Sequence, residues 1–494
     1  MIVCQTLQQK NFPAMHISVK PSLVKWPLFY GAILFFLPFA VAQENPPVLT
    51  QEAYFQWIQR YHPLVRQANL LTATSAAQLL EARGHFDPKL LSELSQKSSD
   101  GKNYYTLSES GFKIPTWYGL ELKALFNTAS GINVNAENTI PAAGQAVLGI
   151  KASLGQGLFI DERRAVLQKA KILQNANEAE RLDAINNILL EAAVAYWDWV
   201  KAYGQLQAIE QALRVSQQRL RNIAESYEAG DRPAIDTLET FIQVQNWNFE
   251  QNSAQLKYQN AALRLSNFLW YDEAVPLELE TNVRPPSPDT LRHQQILPRA
   301  EDLVQLSQSR HPQLRSYQFK LAQLAIDRKL ALEALKPRLD LEYNLLGDGF
   351  RFGQYGDGGL ENLLLQNYKW GFTFSFPVFL RKERGKLELN RLKMMDTDLA
   401  ILQKQLEISN KVRDAYNEWQ NAQQQIVLYE DIVTNYQRLL DAEILRFQAG
   451  ESSIFLINSR EQKLIEAQMK LVGLRTEFHK NRIKTLWATG QLAQ

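Results

Sequence analysis

The chain repeats itself internally, and a fold built by stacking one unit twice is what such a repeat permits. At an offset of 220, Ala195, Tyr196, Trp199, Ala202, Gln205, Glu210, Gln217, Leu220, Ala229 and Gly230 fall on Ala415, Tyr416, Trp419, Ala422, Gln425, Glu430, Gln437, Leu440, Ala449 and Gly450. At an offset of 249, His62, Pro63, Arg66, Ala82, Pro88 and Leu90 fall on His311, Pro312, Arg315, Ala331, Pro337 and Leu339. Each half therefore reads as helix, short strands, very long helix, turn and helix. The boundaries that follow are 43–274 for the first repeat, 275–299 for a proline-rich linker and 300–494 for the second repeat.

Residues 1–42 read as an export signal. Lys20 and Lys25 precede an apolar run from Trp26 that closes on Ala40-Val41-Ala42. Its apolar core is too short to span a bilayer as a helix. Met15 stands at the more usual distance from that run, so Met1 and Met15 both remain candidate starts. Removing Lys10, Lys20 and Lys25, with no acid, takes the formal charge from +2 to −1. No basic nucleic-acid footprint is left. The only cysteine, Cys4, would leave with the signal, so disulfides, thiolate chemistry and a lipid-anchor cysteine are excluded from the mature chain.

Between Arg163 and Ala229 there is no proline and a single glycine, Gly204; Arg384 to Ala449 repeats this with Gly385. At 1.5 Å per residue each stretch makes a helix of about 100 Å. Apolar residues follow a 3-4 alternation, Leu206, Ile209, Leu213, then Ser216, Leu220, Ile223, Tyr227, and Ile426, Tyr429, Val433, Tyr436, Leu440, then Glu443, Phe447. A seven-residue period of this kind makes a coiled-coil seam. Glutamine and charged residues fill the remaining surface.

The segments before the long helices alternate with period two. Tyr118, Leu120, Leu122, Ala124 and Phe126 form one face of a first strand, and Ala146, Leu148, Ile150, Ala152 and Leu154 one face of a second. Leu339, Leu341, Tyr343 and Leu345, then Tyr368, Trp370, Phe372, Phe374 and Phe376, do the same in the second half. Segments of about ten residues, apolar on one side and polar on the other, suit strands that cross a bilayer. An antiparallel sheet on a soluble core alternates in the same way. The aromatic loading of residues 368–376 favours lipid, with Tyr118, Leu120, Leu122, Phe126, Tyr368, Trp370, Phe372 and Phe374 as the lipid-facing candidates. Glycine-rich loops, with Gly131 in the first half and Gly347, Gly349, Gly353, Gly356, Gly358 and Gly359 in the second, would be the outer turns. Four strands cannot close a barrel, and lipid tolerates no open edge, so several chains must share one. Residues 89–116 fit an extra hairpin that the sequence does not place.

No phosphate-binding loop, His-Glu-x-x-His motif or serine nucleophile elbow occurs. His62 and His311, each before a proline, read as helix-start residues rather than metal ligands. We expect no enzyme activity, no cofactor and no metal.

Taken in order, these features resemble the TolC family of outer membrane efflux proteins over nearly the whole mature chain. The resemblance rests on the His-Pro helix starts, the Tyr-Glu-Ala-Gly-Asp and Phe-Gln-Ala-Gly-Glu turns, Ile-Pro-Thr-Trp at 114–117, Leu-Gly-Gln-Gly-Leu at 154–158 and Asp-Glu-Arg-Arg-Ala at 161–165. It implies a mainly α protomer with a small β part, about four transmembrane strands, and a homotrimer forming an α-barrel/β-barrel channel-tunnel. It also implies a place in the outer membrane, extending into the periplasm, and export of drugs, ions or polypeptides received from an inner-membrane pump and a periplasmic adaptor. The helical turns Ala229, Gly230, Asp231 and Ala449, Gly450, Glu451 would be the adaptor-docking tips. Their sequence reads equally as ordinary hairpin chemistry, a glycine C-cap followed by an acidic N-cap at Asp231 and a serine equivalent in the second copy. Acids that ring the entrance in relatives are replaced by Leu456 and Ser459 after the second turn, so an acidic entrance would use Asp236 and Glu239. A periplasmic coiled-coil structural or adaptor protein without a pore is the other reading of the helices.

Overall fold

The computed structural model describes residues 47–287, 297–352 and 364–493. The expected signal segment with Cys4, Pro288 of the linker, and Gly353, Gly356, Gly358 and Gly359 lie outside them.

Each repeat opens with two helices broken at His-Pro: α1 (Gln51–Tyr61) and α2 (Pro63–Gly84), then α5 (Ala300–Arg310) and α6 (Pro312–Glu333). The long helices are α3 (Glu162–Glu228) and α7 (Arg381–Gln448), each returned by a shorter one, α4 (Ala234–Ser266) and α8 (Ile454–Ala488). The strands are β1 (Lys89–Ser99), β2 (Lys102–Pro115), β3 (Leu120–Ser130), β4 (Gln145–Ser153), a two-residue pair β5 (Trp270–Tyr271) and β6 (Val275–Pro276), then β7 (Arg338–Leu346) and β8 (Tyr368–Ser375). The described residues divide into two compact units, each drawing on both repeats.

One unit holds residues up to 68, 183–309 and 408 onward. Its centre is where the repeat identities point. Trp199 and its equivalent Trp419 are both buried, the first against Tyr54, Ile58, Tyr196 and Leu265, the second against Ile426, Leu471 and Phe478. Tyr54 and Tyr196 stack at 5.7 Å, and their hydroxyls donate to the carbonyls of Leu265 and Leu49 at 3.3 and 2.9 Å. The coiled-coil stripe packs as its period requires. Leu206, Ile209 and Leu213 meet Val244, Trp247 and Ile465, and farther along Ile223 and Leu440 meet Ile454, Ile457 and Leu464.

His62 and His311 do serve helix starts. Nδ1 of each accepts from a backbone N–H two residues on, Leu64 at 3.3 Å and Gln313 at 3.2 Å. Burial holds the His62 imidazole below its ordinary pKa, so the neutral ring is the folded form. The unfolded chain then takes up the proton more readily. Stability is complete above the ordinary value of 6.5 and declines as pH falls through it. Thermal midpoints should therefore drop more for the wild type than for His62→Asn, which keeps an acceptor, when pH is lowered from about 8 to about 5. Equal slopes would show that His62 does not set this dependence.

The other unit, residues 69–182 and 310–407, carries an antiparallel six-stranded sheet in the order β1-β2-β3-β4-β7-β8. That is two strands more than the four legible by alternation. Residues 89–116 supply them: β1 and β2 pair from Lys89–Lys113 to Ser99–Lys102, and β2 pairs onward with β3 from Pro115–Glu121 to Thr106–Ser130. The turn between them is Asp100-Gly101, with φ of 51° and 71°, the backbone that a two-residue hairpin with strand-matching twist needs. Their alternation was masked because serines interrupt the apolar face at Ser92, Ser108 and Ser110.

Tyr118 is displaced from its expected place. It lies in the turn before β3, where Thr116 N–H donates to the Leu120 carbonyl at 2.8 Å and Gly119 takes φ 83°. The remaining lipid-face candidates sit on strands. Leu120, Leu122 and Phe126 share one face of β3, in register through Ala152, Ile150 and Ala146 with the same face of β4, and Tyr368, Trp370, Phe372 and Phe374 share the continuing face on β8.

Candidate functional sites

The two faces of the sheet differ completely. On the apolar face a continuous row runs Phe112, Ala124, Leu148, Leu345, Tyr368, and the next rows add Ile150, Tyr343 and Trp370, then Leu341 and Phe372. Trp370, Phe372 and Phe374 expose 60, 55 and 61% of their surface, with no helix or loop among the described residues covering them. An uncovered aromatic patch of this extent is costly in water and natural against lipid.

The opposite face carries charge, part of it matched within the sheet. Lys123 Nζ lies 2.7 Å from Glu342, Lys151 3.5 Å and Arg338 2.8 Å from Asp340, and Ser153 Oγ donates to Asp340 at 2.7 Å. Asn344 donates to Glu342 at 3.1 Å. β4 and β7 thus join the two repeats through both backbone pairing and ion pairs.

The motifs around the sheet have structural jobs. Ile114 and Pro115 end β2, Thr116 closes the following turn, and Trp117 stacks on Phe86 at 4.2 Å. Asp161 Oδ1 accepts from Arg164 N–H at 2.8 Å and opens α3, while the Arg164 guanidinium donates to the carbonyls of Gly157 and Leu158. Gly155 passes so close to the other repeat that a β-carbon would stand 2.0 Å from the Pro337 carbonyl oxygen.

At the helical turns, the two copies have one geometry. Gly230 and Gly450 adopt φ of 81° and 78°. The N–H of Gly230 donates to Tyr227 and that of Asp231 to Ser226, both at 2.9 Å; Gly450 and Glu451 repeat this with Phe447 and Arg446 at 3.1 and 2.9 Å. This paired pattern satisfies the last carbonyls of a helix and requires a left-handed residue at the glycine. Space is open at both, with no heavy atom within 4 Å of where a β-carbon would be.

The restarts differ. Ser453 caps α8, its Oγ accepting from Leu456 N–H at 3.4 Å. Asp231 does not cap α4: the N-cap is Pro233, without a side-chain bond. The reason is spacing, since Pro233 holds the extended backbone that precedes the helix and leaves Asp231 two residues before the capping position. Ala229, Asp231, Ala449 and Glu451 are exposed beside their glycines. Asp236 and Glu239 are half-buried in the first turns of α4.

Sequence reasoning overlooked the polar contacts behind these tips. Arg219 binds Glu461 in a two-pronged pair, at 2.7 and 3.0 Å, and donates to Asn458 at 3.2 Å, although Glu461 is almost fully buried. Glu443 is equally enclosed. It accepts from Ser452 at 2.6 Å with Arg460 and Arg446 nearby, and the Ser452 hydroxyl and those guanidinium groups hold its carboxyl below the usual range. The Arg232 guanidinium lies 4.0 Å over the Phe447 ring, tying one hairpin to the other. The signal was present: Glu443 interrupts an otherwise apolar stripe, and a charge at a seam position needs a partner.

No curated protein matches the sequence. The sequence profile of the outer membrane efflux protein family matches residues 120–269 and 303–490. Among solved structures, the fold is similar to the CmeC outer membrane channel of Campylobacter jejuni (14% identity, TM-score 0.60, 94% of each chain covered). It is also similar to the open state of the MtrE outer membrane channel of Neisseria gonorrhoeae (14%, 0.62, 90% of each) and to the outer membrane protein VceC of Vibrio cholerae (15%, 0.59, 89% of this chain and 96% of that one). With two-thirds of its length under the family profile and the strand-helix unit occurring twice, the chain belongs to the outer membrane efflux protein family and is a protein of the outer membrane that extends into the periplasm.

Proposed function

We propose that the chain is one protomer of a homotrimeric channel-tunnel that carries substrates across the outer membrane after an inner-membrane pump and a periplasmic adaptor hand them over. The observation that carries this reading is the sheet, which among the described residues has an exposed aromatic face, an opposite face with several ion pairs, and β1 and β8 as unpaired edges. In a bilayer such edges must be paired, which requires further copies. The wet face lines the conduit and the aromatic face meets lipid. The pump supplies energy, so the protein needs no catalytic chemistry of its own. Native mass spectrometry should give three copies, and reconstitution in planar bilayers should give discrete conductance steps. A stable monomer without conductance refutes the reading and leaves a structural role without a pore.

In this reading the tips around Gly230 and Gly450 meet the adaptor, and Asp236 and Glu239 form the acidic entrance. Changing Gly230 or Gly450 to arginine places a β-carbon in a left-handed residue at a strain of about 1 kcal/mol, with open space to receive it. The trimer should form and insert normally. Transport in cells and adaptor cross-linking should fall, because a bulky cation now stands at the docking surface; full retention of both would leave the turns as hairpin chemistry alone. For the entrance, the double change Asp236→Asn and Glu239→Gln should lower the preference for cations in single-channel recordings, and unchanged selectivity would remove these residues from the entrance.

A further inference from the structure

We infer that the β1–β2 hairpin is part of the barrel wall and that β1 pairs with β8 of the next copy, so that three six-stranded sheets close into a wall of eighteen strands. The inference rests on the trimeric reading above and adds which edges meet and in what register.

The parity is right. Six mutually antiparallel strands leave β1 running away from its helix α2 and β8 running toward its helix α7, so two such edges meet antiparallel. The stagger is right as well. The pairing row through Lys89, the first residue of β1, passes through Lys113, Lys123, Gly149 and Asn344 to Lys369. The helix-proximal end of β8 is Ser375, six residues farther along. Bringing the helix-proximal ends of both edges to one height therefore displaces the register by six residues over six strands. One residue per strand, with a rise of about 3.3 Å against a spacing of about 4.8 Å, tilts the strands by about 35°, within the range of closed membrane barrels.

That displacement is even, so it keeps each face on its own side. Leu90, Ser92, Leu94 and Gln96 meet the partner's Phe374, the partner's Phe372, the partner's Trp370 and the partner's Tyr368. The large rings thus face small or flexible side chains. On the wet face Ser95 meets the partner's Lys369, and Glu93 lies diagonal to that lysine, within reach of an ion pair. Lengths agree too: β8 spans eight residues, and β1 is regular for the eight residues Lys89 to Gln96, its register shift coming only between Lys97 and Ser98. Neither a proline nor a bulge guards that stretch, as would be expected of an edge meant to stay unpaired.

The test uses the full chain with Cys4→Ser, which removes the only native cysteine. Ser95→Cys combined with Lys369→Cys should give a disulfide-linked trimer on oxidation that reduction releases. A link within one chain is excluded, since β1 and β8 are opposite edges of the sheet, roughly 24 Å apart across five strand spacings, far beyond disulfide reach. Leu91→Cys with Thr373→Cys provides a second pair in the same register should the first fail to assemble, and linkage through either supports the proposal. If the hairpin instead lay outside a twelve-strand wall, β3 would be the closing edge, and Asn127→Cys with Lys369→Cys would link. That result, or a trimer by native mass spectrometry with no linkage through either β1 pair, overturns the eighteen-strand wall while the trimeric reading stands. A monomer by native mass spectrometry overturns both.

Discussion

Glu461→Ala is expected to destabilise the folded chain by about 3–5 kcal/mol, the cost of leaving one member of a buried ion pair without its counter-charge. Arg219 is held by both oxygens of Glu461 and by Asn458, and about one helical turn away along the same helices Ile223, Ile457 and Leu464 are buried. Truncation leaves the guanidinium enclosed with only a neutral amide. Replacing both partners by apolar residues of similar size, Arg219→Met with Glu461→Leu, should recover most of the loss, because burying the pair costs nearly as much desolvation as its attraction returns. Denaturant midpoints of the detergent-solubilised protein separate the two cases. A double variant no better than Glu461→Ala would mean that the pair itself, and not the stranded charge, governs stability. The pair would then act as a register device between α3 and α8, and native mass spectrometry of the double variant would show whether assembly suffers.

The second large effect is expected at Gly155. A β-carbon there stands 2.0 Å from the Pro337 carbonyl oxygen and 3.2 Å from the Leu339 nitrogen, and both obstacles are backbone. The chain cannot simply move away. Leu154 N–H donates to Leu339 at 2.7 Å and Gln156 N–H donates to Pro337 at 2.8 Å, so the residues on either side of the glycine are tied to the same strand start. Gly155→Ala must break these bonds or push the repeats apart, at about 3 kcal/mol or more, the upper end of the overpacking range. Gly157 in the same motif is the internal comparison. It has φ 94° but no neighbour nearer than 3.9 Å, so Gly157→Ala should cost only its backbone strain, about 1 kcal/mol. Loss of assembled trimer on mild heating should follow the order Gly155→Ala, Gly157→Ala, wild type. Equal behaviour of the two variants would show that close approach is not what the motif requires.

Much of the candidate machinery was legible because it depends on local geometry. The left-handed glycines at 230 and 450 follow from long proline-free helices that must end in a tight reversal, and both adopt the expected backbone. The histidine caps follow from the proline that each precedes. Asp231 does not cap because a capping residue is recognised by type, while its role depends on its distance from the helix start, and Pro233 sets that start two residues farther on. Tyr118 was misread because alternation continues through Gly119 into a turn that only the backbone angles reveal. The hairpin of residues 89–116 lacked a continuous apolar face, although Asp100-Gly101 was a usable turn signal.

Local pattern is enough to specify the repeated unit, the length and seam of each long helix, the strands with one apolar face, and the chemistry of the turns. All of these are written in periods of 2, 3.5 and a whole repeat, which contacts distant in the chain do not alter. The tertiary structure alone decided the six-strand order, the register that lines Lys89 up with Lys369, the partnership of Arg219 with Glu461 and the approach of Gly155 to Pro337. These join residues up to 280 positions apart, as Lys89 and Lys369 are, through rows of hydrogen bonds in which each strand's place depends on its neighbour's. A periodic pattern states which face of an element is buried, and it leaves open which element lies against it.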